Sequence, residues 1–174
     1  NLTETFKTFT LEQAAEYYRE NYGVTLSVGE IVDGVNEMVA ELYRTKVTLK
    51  YGVREFLRDL QSKDVKMCIA TVTDRPIVEG VLNRLGIRDF FFEIFTCAEV
   101  GYNKETPHIY RAALEVLGTK KDETVVFEDA LHALITAKKD GFRVAAVYDR
   151  HERNQTQMKE NGDYYITDFK TAQI

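Results

Sequence analysis

Lys66-Met67-Cys68-Ile69-Ala70-Thr71-Val72-Thr73-Asp74-Arg75-Pro76 is the stretch that decides the fold. Its first seven residues are a short, nearly continuous apolar run, the pattern of a strand buried on both faces. Pro76 then suits a helix start, where a missing N–H does no harm. The same order recurs downstream. The patterning predicts a helix over Ile77–Leu85 closed by Gly86, a strand over Phe92–Cys97, and a helix over Pro107–Leu117 closed by Gly118. It then predicts a strand over Thr124–Phe127, a helix over Ala130–Lys139 closed by Gly141, a strand over Arg143–Tyr148, and a last short strand at Tyr164–Ile166. Strands alternating with helices of about 10–15 residues mean βαβ units. The fold class is therefore α/β: a Rossmann-like parallel sheet flanked by helices.

Upstream the rhythm differs. Thr10–Tyr18 has a cap-like Thr, early acids and helical apolar spacing, and Asn21-Tyr22-Gly23 ends it. Ser27 stands three residues before Glu30, a capping-box spacing, and Ile31, Val35, Met38, Val39 and Leu42 follow on one helical face. Gly52–Leu60 reads as a further amphipathic helix. The division expected is residues 1–46 as part of a small helical cap and 47–174 as the α/β core. The tail His151–Gly162 reads as polar surface helix or loop, and Phe90-Phe91-Phe92 as core.

Composition narrows the function. The 174 residues carry 23 Lys plus Arg against 28 Asp plus Glu, a net charge of −5. A pI near 5.3 argues against a nucleic-acid surface. No apolar run approaches the roughly 18 residues that span a bilayer, so no membrane partner is expected. Two cysteines are no disulfide framework. Cys68 reads as a small core residue, Cys97 has no signalled base partner, and His108, His132 and His151 lack metal-type spacing with the cysteines.

In an open parallel sheet, ligands bind beyond the strands' C-terminal ends. Thr71-Val72-Thr73-Asp74-Arg75, Gly101-Tyr102-Asn103-Lys104 and Glu128-Asp129-Ala130-Leu131-His132 should thus converge on one edge. A hydroxyl with backbone N–H groups at a helix start favours an anion. Lys104 adds a point charge, and Glu128 with Asp129 offers the hard oxygens that Mg²⁺ takes. Together these describe a phosphate site.

Three strings carry a family resemblance. Lys66–Thr71 resembles the second motif of the haloacid dehalogenase-like hydrolase superfamily, Lys104-Glu105-Thr106-Pro107-His108-Ile109-Tyr110 the third, and Val125–Ala130 with Ala137 and Gly141-Phe142 the fourth. Leu49–Val53 also resembles the family's return from cap to core. The β-phosphoglucomutase-like phosphatases with a helical cap are the most similar branch. The resemblance implies that Thr71, Val72, Thr73 and Arg75 meet the phosphate or substrate. It implies that Thr71 and Lys104 serve catalysis and that Glu128 and Asp129 hold Mg²⁺. It implies a phosphatase acting on a small phosphorylated metabolite through an aspartyl-phosphate, in the cytoplasm, as monomer or homodimer. Phosphomutase and a non-catalytic binding or regulatory homologue are the alternatives.

The sequence also departs from the family. Glu105 and His108 stand where the third motif has Pro and Asp, and Ala130 and Ala133 where the fourth has Ser and Gly. The first motif, an apolar strand ending in Asp-x-Asp-x-Thr or Ser, matches nothing in Asn1–Lys46. In the family that strand lies between those ending here at Thr71 and Asp129. Without it each buried unpaired backbone group would be unfavourable by roughly 1–3 kcal/mol. The expectation is that the parent protein carries this strand and nucleophile ahead of Asn1, and that these residues alone do not turn over.

Overall fold

The computed structural model describes residues 9 and 11–172. The proposed cap residue Thr10 lies outside the described residues. The chain divides into two compact units, one ending at Val47 and one beginning at Thr48.

Among the described residues, the first unit holds α1 (Leu11–Tyr22) and α2 (Val28–Thr45). Ser27 caps α2 through the expected box: its hydroxyl accepts from the Glu30 N–H at 3.2 Å, and its own N–H donates to the Glu30 carboxylate at 2.8 Å. Tyr17, Tyr18 and Tyr22 meet one another ring to ring along α1.

The second unit is the α/β core. In chain order it contains α3 (Val53–Ser62), β1 (Cys68–Thr71), α4 (Arg75–Arg84), β2 (Glu93–Thr96), α5 (Cys97–Val100) and α6 (His108–Leu117). Then follow β3 (Val125–Glu128), α7 (Leu131–Lys139), β4 (Arg143–Val147), α8 (Gln155–Asn161) and β5 (Tyr164–Ile166). All pairings are parallel. They form two separate sheets, β1-β2 and β3-β4-β5. Cys68 pairs Glu93 and Thr71 pairs Thr96 in the first, while Val126 lies beside Val144 in the second. β1 and β3 do not pair. A cleft of about 730 Å³ lies between them, lined by Met67–Ala70, Val125–Glu128, Phe56 and Leu57 of α3, and Tyr110 and Ala113 of α6.

This cleft corrects one expectation. β1 was read as buried on both faces, yet all four of its residues are only half-buried. β4 does meet that description, because it has a strand on each side: Val144, Ala145 and Ala146 are fully buried. The core is likewise divided. Leu57, Val78, Leu82, Ile87 and Ile94 pack around the two-stranded sheet. Ile109, Tyr110, Leu134, Ala137, Phe142, Val144, Ala146 and Met158 pack around the three-stranded one. Phe90 and Phe91 join the first cluster, but Phe92 is 65% exposed because it has left the turn and not yet entered β2. The polar tail, read as surface, contributes the fully buried Met158 through α8.

Close approach requires a glycine before α3. Gly52 has φ of 79°, and a Cβ there would meet the Lys170 backbone N at 2.2 Å. The chain after β5 can cross there, placing Phe169 against Phe56 and Phe127.

Candidate phosphate and metal site

The strands are parallel within each sheet, so β1 ends beside β2 and β3 beside β4. Cys97, just past β2, feels the charges of Lys104 and Glu128, which brings the end of β2 near that of β3. The strongest feature there is a buried ion pair. Lys104, in the loop before α6, reaches Glu128 at the end of β3 with 2.6 Å between Nζ and Oε1. Their side chains are 15% and 6% exposed. Tyr110, six residues after Lys104 and on the first turn of α6, donates its hydroxyl to the same Oε1 at 2.8 Å. Burial, then the Glu128 charge, pushes the Tyr110 phenol well above its ordinary range, so it stays a donor. Asp129 is exposed and has no hydrogen bond or ion pair among the described residues.

The β1 end is built differently. Thr71 Oγ1 accepts the Thr73 N–H at 3.0 Å. Its own O–H remains available to donate to an anion. Val72 is the exposed residue at the tip. Arg75, expected to reach substrate, is instead engaged within the protein. Its guanidinium bonds Glu99 at 2.5 and 3.0 Å and the Ile94 carbonyl at 2.5 Å, with Glu79 and Glu93 at 3.4 and 3.5 Å. Glu99 in turn closes the capping box of α5 with Thr96. The Glu99 carboxyl is held down to about 2, chiefly by its hydrogen bond to Arg75. Arg75 therefore ties the Thr71 loop to the end of β2.

Three contributors were not visible in sequence. Tyr110 is the first; it sat among apolar helix positions with no local sign of its carboxylate partner. Glu152 is the second. Ala130 is the N-cap of α7 and has no side-chain acceptor, but Glu152 Oε2, from the loop after β4, accepts the Leu131 N–H at 3.1 Å. It supplies the cap that Ala130 cannot. The third is the Lys50–Asp149 pair at 2.7 Å, which fastens the segment before α3 to the end of β4. His132 is exposed. His108 lies parallel to Tyr102 with ring centroids 3.7 Å apart and bonds Thr106 at 3.0 Å, which shapes the loop carrying Lys104. Burial raises the pKa of the Cys97 thiol, with the Lys104 charge only partly offsetting it, so Cys97 has no sign of an activated nucleophile.

The donor set suits a hard divalent cation in type. Glu128 and Asp129 offer carboxylate oxygens, and Mg²⁺ is commonly held by one or two carboxylates with waters and substrate phosphate. No group of three potential ligands occurs among the described residues.

Comparisons agree with this architecture. YhcW of Bacillus subtilis, described as a phosphatase, is 29% identical over 132 residues, which is 76% of this chain and 60% of that protein. The pyrophosphatase PpaX of Halalkalibacterium halodurans is 30% identical over 120 residues, 65% of this chain and 56% of that one. The chain thus spans three-fifths or less of these relatives' lengths. Among solved structures, one described as a β-phosphoglucomutase from Thermotoga maritima superposes with a TM-score of 0.82 at 23% identity, covering 97% of this chain and 78% of that one. CbbY from Rhodobacter sphaeroides with phosphate gives 0.74 at 23% identity, covering 97% and 77%. The family model for haloacid dehalogenase-like hydrolases matches residues 2–147, and the chain belongs to that family.

Proposed function

We propose that the parent protein is a Mg²⁺-dependent phosphatase of small phosphorylated metabolites. The observation that carries this reading is the buried Lys104–Glu128 pair beside the partnerless Asp129, at the end of a strand that borders an unfilled cleft. By the family's chemistry, an Asp carboxylate attacks phosphorus while the ester P–O bond breaks. The leaving alcohol takes a proton from an acid, and water then hydrolyses the aspartyl-phosphate to inorganic phosphate.

Among the described residues, no strand ends in the Asp-x-Asp pattern that would supply that Asp. The nucleophile would arrive on a strand seated between β1 and β3, whose facing edges lack ladder partners among the described residues. Thr71 donates its hydroxyl to a phosphoryl oxygen, with Val72 and Thr73 forming the turn around it. Lys104 offsets charge between nucleophile and phosphate. Glu128 and Asp129 would hold Mg²⁺, which supplies charge stabilisation at the phosphoryl oxygens. Residues up to 46 act as part of a cap that selects substrate. A cytoplasmic setting is part of the same proposal. No described helix is long and apolar enough to cross a membrane. A phosphomutase would use the same groups; the phosphatase reading is favoured by the phosphatase names that several curated relatives carry.

Phosphate release from p-nitrophenyl phosphate with Mg²⁺ tests the reading. The parent protein should be active, Asp129→Ala should abolish activity, and these 174 residues alone should show none. Unchanged activity in Asp129→Ala removes the metal assignment. Turnover by the 174 residues alone removes the incoming nucleophile.

A further inference from the structure

Glu128 is held in an asymmetric way. Its Oε1 accepts two donors at once, the Lys104 ammonium at 2.6 Å and the Tyr110 hydroxyl at 2.8 Å. A carboxylate oxygen has two lone-pair sites, so both on Oε1 are occupied. Oε2 accepts no hydrogen bond from any described residue, and Glu128 lines the cleft between β1 and β3. Tyr110 is 3% exposed, and its ring is fixed edge-on to Phe142 at 6.2 Å. Its only other acceptor among the described residues is the Ala133 carbonyl at the longer distance of 3.4 Å. The phenol is therefore committed to Glu128.

We propose that Tyr110 is a positioning residue that, with Lys104, confines Glu128 to one-oxygen metal ligation and thereby favours Mg²⁺ over Ca²⁺. This rests on the reading of Glu128 as a metal ligand. Mg²⁺ demands near-octahedral geometry with single-oxygen contacts, whereas Ca²⁺ takes six to eight oxygens and readily binds a carboxylate through both. A carboxylate with one oxygen closed off can satisfy the first ion and disappoints the second. Lys104 alone would leave one lone pair of Oε1 open, so the hydroxyl of Tyr110 completes the restriction.

Competition against protein-bound Mn²⁺, followed by electron paramagnetic resonance, tests the proposal in the wild type, Tyr110→Phe and Glu128→Gln. Tyr110→Phe keeps the ring and its packing. The expected result is that Mg²⁺ displaces Mn²⁺ better than Ca²⁺ in the wild type, and that Tyr110→Phe shifts the ratio several-fold toward Ca²⁺. An unchanged ratio in Tyr110→Phe overturns the proposal while leaving the metal site standing. Mn²⁺ binding that is absent in the wild type, or unaffected by Glu128→Gln, overturns the ligand reading and this inference with it. Should Tyr110→Phe fail to fold, infrared difference spectra of the Ca²⁺-loaded wild type against Glu128→Gln decide the matter. A one-oxygen carboxylate band pattern supports the restriction, and a two-oxygen pattern overturns it.

Discussion

The two halves of the α/β core solve the same problem in opposite ways. Around β3-β4-β5 the centre of the sheet is complete: β4 is buried on both sides, and the strand-end charge Lys104 has one carboxylate partner, Glu128. Around β1-β2 the inner strand is half-buried, and the strand-end charge Arg75 is surrounded by Glu79, Glu93 and Glu99. One cation is 15% exposed and singly paired. The other is a third exposed and multiply paired. The difference teaches that strand-end charges of one sign can be of two kinds. Arg75 is saturated by the protein and braces a loop, while Lys104 leaves part of its partner's valence open for a ligand.

The sharpest way to break this contrast is to remove each cation. Lys104→Ala would leave Glu128 buried with only the Tyr110 hydroxyl. Loss of one partner from a buried pair destabilises by about 3–5 kcal/mol, and the residual exposure of Lys104 places the expected loss near the lower end. Urea denaturation would show it as a lowered midpoint. Asp129→Ala, at an exposed and unpartnered carboxylate, should change stability by less than about 0.5 kcal/mol. Equal losses at the two positions would remove the distinction between clamp and free ligand.

Arg75→Ala comes next. It deletes a carbonyl bond and the pair with Glu99, both partly solvent-screened, so a loss of about 1–2 kcal/mol is expected. In the parent protein the loosened Thr71 loop should lower kcat more than it raises KM. A large rise in KM with stability unchanged would instead mean that Arg75 meets substrate.

Much of this contrast was legible in sequence up to the point where long-range partners enter. Apolar runs ending at Thr71 and Glu128, with glycines closing the intervening helices, were enough to place strands and helices, since both signals are local. Of the three strand-end loops expected to converge, those of Lys104 and Glu128 meet directly. The short helix Cys97–Val100 was not foreseen, the strand reading running on to Cys97, although Thr96 and Glu99 carry a capping-box spacing. Tyr110 and Glu152 act on residues 18 and 21 positions away, and no local pattern announces such a bond. The half-buried state of β1 was illegible for a deeper reason. An apolar run shows what a strand is suited to bury, and burial also needs the neighbour.

The Glu152 cap offers a smaller test of the complete half. Glu152→Ala should destabilise by about 1 kcal/mol through the uncapped first turn of α7. Ala130→Ser in that background should recover most of it, because a serine N-cap would supply the acceptor locally. Burial alone would raise the Glu152 pKa, but the N–H groups of Asn154 and Leu131 outweigh it and hold the carboxylate ionised. No recovery in the double variant would mean that Glu152 acts by holding the loop after β4 rather than by capping.

The smallest effect separates the halves by pH. Glu99 titrates at about 2 when folded, below its ordinary value of 4.5, because of its bond to Arg75. A depressed folded pKa means that the unfolded chain takes up the proton first as the solution is acidified. The contribution of Glu99 is therefore fully present above pH 4.5 and is lost as pH falls toward 2. Asp140, held down by Arg111 and Lys121, adds the same sign in the other half. Denaturation midpoints should thus fall between those limits in the wild type, and Glu99→Gln should flatten part of that slope while leaving the Asp140 share. The brace is exposed, so salt should weaken it as well. A slope that Glu99→Gln leaves intact would mean that the Glu99 charge does not hold Arg75, and the brace would then rest on the Ile94 carbonyl with the longer contacts to Glu79 and Glu93.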